Sequence, residues 1–145
     1  MLLAGSAARG ETIRIATYHT ELSRRGPGLL LRDIATGEDP QAEAVAQVIA
    51  AADADVILLL GIDFDLELRA LGALAGRVAA KGAMYPHRFA LRPNTGLATG
   101  LDLDGDGRKG GPRDAQGYGR FAGQGGMALL SRLPLGVERD FSDLL

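Results

Sequence analysis

The chain has 145 residues, 46% of them hydrophobic, and a formal net charge of -2, which suits one domain with a sizeable core. This balance excludes a strong basic field for nonspecific nucleic-acid binding, but it leaves specific contact with a phosphate ester open. There is no cysteine, so disulfides and thiolate metal sites are excluded, and no apolar run reaches the roughly 20 residues that span a bilayer.

Residues 1–11 read as a leader. Met1 to Ala8 ends in small residues, as export signals do, but lacks a basic start and a full apolar stretch. A structureless leader and a truncated export signal both fit, so cytoplasmic and exported locations stay open. Residues 12–145 read as one domain.

Thr12 to Tyr18 alternates, with Ile13, Ile15 and Thr17 on one face, and predicts the first strand. His19, Thr20 and Glu21 follow at its carboxyl end. Ser23 to Glu38 contains three glycines and Pro27 and reads as a long connection pinned by Leu29, Leu30 and Leu31. Asp39-Pro40 opens a helix, with Asp39 as cap and Pro40 at the first helical position. Its apolar face is read as Val45, Val48, Ile49 and Ala52.

The run from Val56 to Leu60, with Ile62 beyond Gly61, reads as a central strand buried on both faces. It delivers Asp63 and Asp65 at its end, where α/β proteins tend to place their sites. Strand, helix, strand argues for an α/β sheet with helices on its outer face. Leu66 to Lys81 reads as a second helix, with Leu68, Leu71, Ala75 and Val78 on one face. Gly72 and Gly76 are spaced to allow close packing on the sheet, and Lys81-Gly82 is a stop. Tyr85 to Leu91 is a short strand that Pro86 confines to a strand start or an edge.

Gly96 to Gly126 holds 11 of the 21 glycines, and a loop of this length in a compact domain is functional or disordered. Within it, Asp102-Leu103-Asp104-Gly105-Asp106-Gly107 matches the opening of a calcium loop, with aspartates at the first, third and fifth positions and glycine at the sixth. The twelfth position is Arg113, followed by Asp114 as a possible closing ligand. Bound Ca²⁺ through Asp102, Asp104 and Asp106, and a polar turn whose aspartates cap their own backbone, are both open. Gly126 to Ser131 is the last predicted strand.

Ile15 to Leu22, Asp55 to Asp65, Tyr85 to Phe89, Asn94-Thr95-Gly96 and Gly126 to Arg132 occur in series. In that order they resemble the endonuclease/exonuclease/phosphatase superfamily, the DNase I-like phosphoesterases, including bacterial members with a similar glycine-rich aspartate loop. The resemblance implies an α/β fold, a DNase I-like two-sheet sandwich flanked by helices, of which this chain would be the N-terminal portion. It also implies a phosphate-ester substrate, a divalent cation such as Mg²⁺, and a site at one end of the sheets. His87 and Asn94 become candidate substrate-binding residues by the same resemblance.

Two positions depart from the family pattern. The usual asparagine after the first strand is His19, and the usual metal-binding glutamate after the central strand is Gly61. His19 then reads either as a catalytic acid/base or ligand group that orients the phosphate or as a histidine satisfied by neighbouring backbone. Asp63 and Asp65 read either as metal ligands, Asp63 in place of the missing glutamate, or as structural carboxylates, Asp65 being a natural cap for the second helix. Three functions follow: a metal-dependent phosphoesterase acting on a phosphodiester or phosphomonoester, a non-catalytic binding or scaffold protein on the same fold, and a truncated reading frame. Half a sandwich would leave a sheet face uncovered and favour self-association. No membrane partner is expected.

Overall fold

The computed structural model describes residues 12–137 and 139. The predicted leader and the segment from Phe141 to Leu145 lie outside the described residues. The elements run β1 (Ile15–His19), α1 (Leu29–Thr36), α2 (Pro40–Ala52), β2 (Val56–Ile62), α3 (Arg69–Ala79), β3 (His87–Phe89) and β4 (Gly126–Ser131). The four strands form one mixed sheet in the order β1-β2-β4-β3. β1 runs parallel to β2, and β4 is antiparallel to both β2 and β3. The chain is thus α/β, and β3 is an edge strand that begins directly after Pro86 and is shorter than the predicted stretch from Tyr85 to Leu91.

The three helices and one sheet face enclose the core. Ile57, Leu59, Ile62, Ala128 and Leu130 point from the sheet into a cluster with Leu30 and Ile34 of α1, Val45 and Ile49 of α2, and Leu74 and Val78 of α3. α2 begins as its sequence dictates: Asp39 accepts the Ala42 N–H at 2.7 Å and Pro40 occupies the first turn. Its inward face is Ala42, Val45, Ala46 and Ile49, so the stripe is rotated from the one read in the sequence and leaves Val48 46% exposed.

Three further expectations are corrected. The connection from Ser23 to Glu38 contains a helix, α1, bounded by Gly28 and Gly37, both left-handed (φ 76° and 71°). The helix predicted from Leu66 starts later: Leu66–Leu68 is a single 3-10 turn with Glu67 and Leu68 at positive φ, and α3 begins at Arg69. Gly72 and Gly76 do not meet the sheet, since a side chain at either would meet open space.

The central strand is covered on one face only among the described residues. Val56, Leu58 and Leu60 are half-buried on the other face, in register with Ile15, Thr17 and His19 of β1 and with Met127 and Leu129 of β4. The face shared by Ile13, Ile15 and Thr17 is therefore this open one, where Ile15 is 73% and Met127 61% exposed. Leu58, Phe89, Leu91, Met127 and Leu129 line a shallow apolar trough on it. Contiguous apolar surface of this kind drives association. The 145-residue chain is expected to self-associate with rising concentration, and Leu58→Glu with Leu129→Lys to reduce that association. Analytical ultracentrifugation checks this, and a strictly monomeric wild type at high micromolar concentration would contradict it.

Candidate functional site

The carboxyl ends of β1 and β2 meet at one edge of the sheet. β1 is fastened there by Thr20, whose backbone N–H and Oγ1 both donate to the Leu60 carbonyl, at 2.8 and 3.0 Å. β2 is irregular at the same place: the pairing with β4 shifts register between Leu60 and Ile62, and Gly61 lies between them at φ 70°. Only glycine takes that conformation without strain. A Cβ at position 61 would lie 3.0 Å from His19 Nε2 and 3.4 Å from the Glu21 backbone nitrogen. The imidazole of His19 thus sits over the glycine, and its residue is exposed to solvent.

Asp63 follows at 9% exposure. Its Oδ2 accepts the Arg24 N–H at 2.7 Å and its Oδ1 accepts the Gly125 N–H at 2.9 Å. One carboxylate therefore joins the chain after β1 to the end of the glycine-rich loop. Backbone bonds flank it on both sides: Asp63 N–H donates to the Leu22 carbonyl and Phe64 N–H to the Gly123 carbonyl. Asp65 is the helix cap expected, accepting the N–H groups of Arg69 and Ala70 at 2.6 and 2.7 Å.

Arg24 is a member of this edge that nothing in the local sequence singles out. Its side chain, 15% exposed, donates to Asp33 at 2.9 Å, to Asp39 at 3.2 Å and to Gln41 at 3.1 Å. The guanidiniums of Arg32 and Arg24 hold the Asp33 carboxyl below its usual pKa. Gln124 closes the cluster by donating to the Arg24 carbonyl at 3.3 Å.

Asn94 belongs to the same end. The preceding Pro93 packs against Gly126, which pairs with Ile62. The Asn94 carbonyl accepts from Leu97 and Gly117, closing the base of the long loop, and a Cβ at Gly117 would sit 3.2 Å from Asn94 Oδ1. His87 does not join it. It pairs with Ser131, which pairs with Val56, whereas His19 pairs with Leu60. Four strand residues, roughly 13 Å, separate the two rows.

The aspartate loop is folded around its own backbone. Asp102 accepts from Gly105, Asp106 and Gly107, and Asp104 and Asp106 each accept one further N–H. Asp114 is 2% exposed and accepts from Leu103 and Gly111, whose N–H groups hold its carboxyl below the usual range. It braces the loop from inside, while the guanidinium of Arg113 stands 3.9 Å from Asp104. Among the described residues, Asp102, Asp104 and Asp106 are the one group of three or more potential ligands whose donor atoms lie within 4.8 Å of one another. His19, Glu21, Asp63 and Asp65 do not converge in that way.

The sequence family described as Endonuclease/Exonuclease/phosphatase family matches residues 26–143, more than half of the chain. A solved structure, the endonuclease/exonuclease/phosphatase from Beutenbergia cavernae DSM 12333, is 20% identical over 86% of this chain, with a TM-score of 0.45. The chain spans 27% of that structure's length. No curated protein matches the chain.

The Asp63 contacts generate a direct expectation. Asp63→Ala leaves two backbone N–H groups without their acceptor and should cost about 2–4 kcal/mol of stability, against about 1 kcal/mol for loss of the Asp65 cap. Urea denaturation of the variants checks the order, and equal costs would contradict the bridging role.

Proposed function

The chain belongs to the endonuclease/exonuclease/phosphatase family, whose members generally hydrolyse phosphoester bonds, and we propose that it serves a hydrolase domain acting on a phosphodiester or phosphomonoester. The observation that supports this reading is the family match together with the gathering of His19, Asp63 and Asn94 at the sheet edge where β1 and β2 end. In this reading the His19 imidazole faces the phosphoryl group. An imidazole at such an edge can donate a hydrogen bond to a phosphate oxygen or serve as a general acid or base. Asp63 holds the two neighbouring loops in place around it, and Asn94 closes the base of the long loop. His87, at the opposite end of the sheet, is left as an edge-strand residue.

The family's divalent cation, Mg²⁺ in the usual case, would neutralise charge on the phosphoryl group. The donors at the end of β2 do not fit it: position 61 offers no carboxylate, and both oxygens of the nearly buried Asp63 already accept backbone N–H groups. No step of the reaction is therefore routed through a metal held there. The aspartate loop suits a hard cation better, because donor atoms of its three carboxylates lie within 4.8 Å of one another and Asp104 and Asp106 each accept a backbone N–H on one oxygen only. Ca²⁺ at Asp102, Asp104 and Asp106 belongs to this proposal as a structural ion.

Gly61 under His19 favours a second reading, a phosphate-binding or scaffold protein that keeps the fold without the chemistry. Assay of bis-aryl phosphodiester hydrolysis separates the two. Turnover lost in His19→Ala is the outcome expected of the hydrolase, and no turnover by folded protein, with or without Mg²⁺, Mn²⁺ or Ca²⁺, selects the binding protein. For the loop, calorimetry should show Ca²⁺ binding with Kd of about 10⁻⁴–10⁻³ M, lost in Asp104→Ala. Absence of heat in the wild type would remove the ion from the proposal.

A further inference from the structure

The register shift at Leu60 and Ile62 throws the side-chain direction of residue 61 toward β1 rather than along the regular pleat. That direction is already taken. His19 Nε2 and Cδ2 would lie 3.0 and 3.4 Å from a Cβ at Gly61, and the Glu21 backbone nitrogen 3.4 Å. The backbone on that side is held by the two Thr20 bonds to Leu60 and by Asp63 N–H donating to Leu22, so it has little freedom to retreat. Gly61 itself, at φ 70°, strains under any other side chain.

We infer that His19 and Gly61 form one interlocked pair, the imidazole occupying the space a side chain at 61 would need, and that the end of β2 accordingly holds no hard divalent cation. The other carboxylates nearby do not replace the missing donor. Asp63 is committed to Arg24 and Gly125, Asp65 caps α3, and Glu21 is exposed and forms no described ligand group with them. The edge presents an imidazole in place of a carboxylate. This inference does not depend on whether the domain hydrolyses anything.

Two measurements on the full chain test it. In the first, Mn²⁺ is titrated into the Asp102→Ala, Asp104→Ala variant, which removes loop oxygens, while amide signals are followed by NMR. The signals of Thr20–Leu22 and Leu60–Asp63 should keep their intensity, and saturable broadening there would overturn the exclusion of a cation. In the second, thermal melts of Gly61→Ala, His19→Ala and the double variant form a cycle. The fall in Tm caused by Gly61→Ala should shrink by about half in the His19→Ala background, because contacting residues are non-additive. Additive losses would overturn the interlock. If Gly61→Ala does not fold, Gly61→Asn, a residue that tolerates the left-handed region better, gives the coupling in the same cycle.

Discussion

The Asp63 carboxylate is the contact on which the arrangement of this sheet edge depends. A nearly buried carboxylate is costly unless its oxygens are hydrogen-bonded, and here both are, by N–H groups from segments far apart in sequence, Arg24 and Gly125. The same bonds fix where the chain leaves β1 and where the glycine-rich loop re-enters the sheet as β4. The loop can come this close because Gly123 lies at φ 100°, with no side chain to strike the Phe64 carbonyl, which would be 2.8 Å from a Cβ. Glycine and carboxylate thus act together: one lets the backbone approach and the other holds it.

From this contact the organisation spreads outward. Arg24, positioned by its own N–H on Asp63, turns its guanidinium to Asp33 on α1 and Asp39 at the start of α2. A half-buried arginine with two carboxylates and a glutamine carbonyl is satisfied at each branch of its fork. The middle of α1 and the N-terminus of α2 are therefore referenced to the same point as the strand ends. The long loop closes at its base through the Asn94 carbonyl and is braced within by Asp114. A cation in the aspartate triad would strengthen a loop already framed by its own hydrogen bonds, and its stabilising effect would stay local to the loop.

Features encoded in neighbouring residues were legible in the sequence. Asp39-Pro40 marks α2, the aliphatic run marks β2, Gly126 to Ser131 marks β4 to the residue, and Pro86 stands directly before the edge strand β3. The α/β class and the family follow from their order. What the sequence concealed depends on long-range geometry. α1 is eight residues between two left-handed glycines, and the same glycines that delimit it disguise it as a loop. His87 falls at the far end of the sheet because strand order and direction decide it, and neither is written in the residues beside it. Arg24 gains its role from three partners contributed by other segments. The double service of Asp63 was hidden for the same reason.

The two faces of β2 show why burial was misread. Val56, Leu58 and Leu60 are as aliphatic as Ile57, Leu59 and Ile62, and an unbroken aliphatic run is the composition of a strand covered on both sides. Helices cover one side; on the other, among the described residues, these side chains line up with Ile15, Met127, Leu129 and Phe89 in the open. Each half-exposed aliphatic side chain there retains hydrophobic free energy that burial would release, at about 25 cal/mol per Å². The composition of β2 therefore specifies a second apolar layer as firmly as it specifies the helical one. The sheet edge at His19 and Gly61 borders that open face, since His19 shares its row with Leu60 and Met127. Any layer packed over Leu58 would therefore also border the edge at His19 and Gly61.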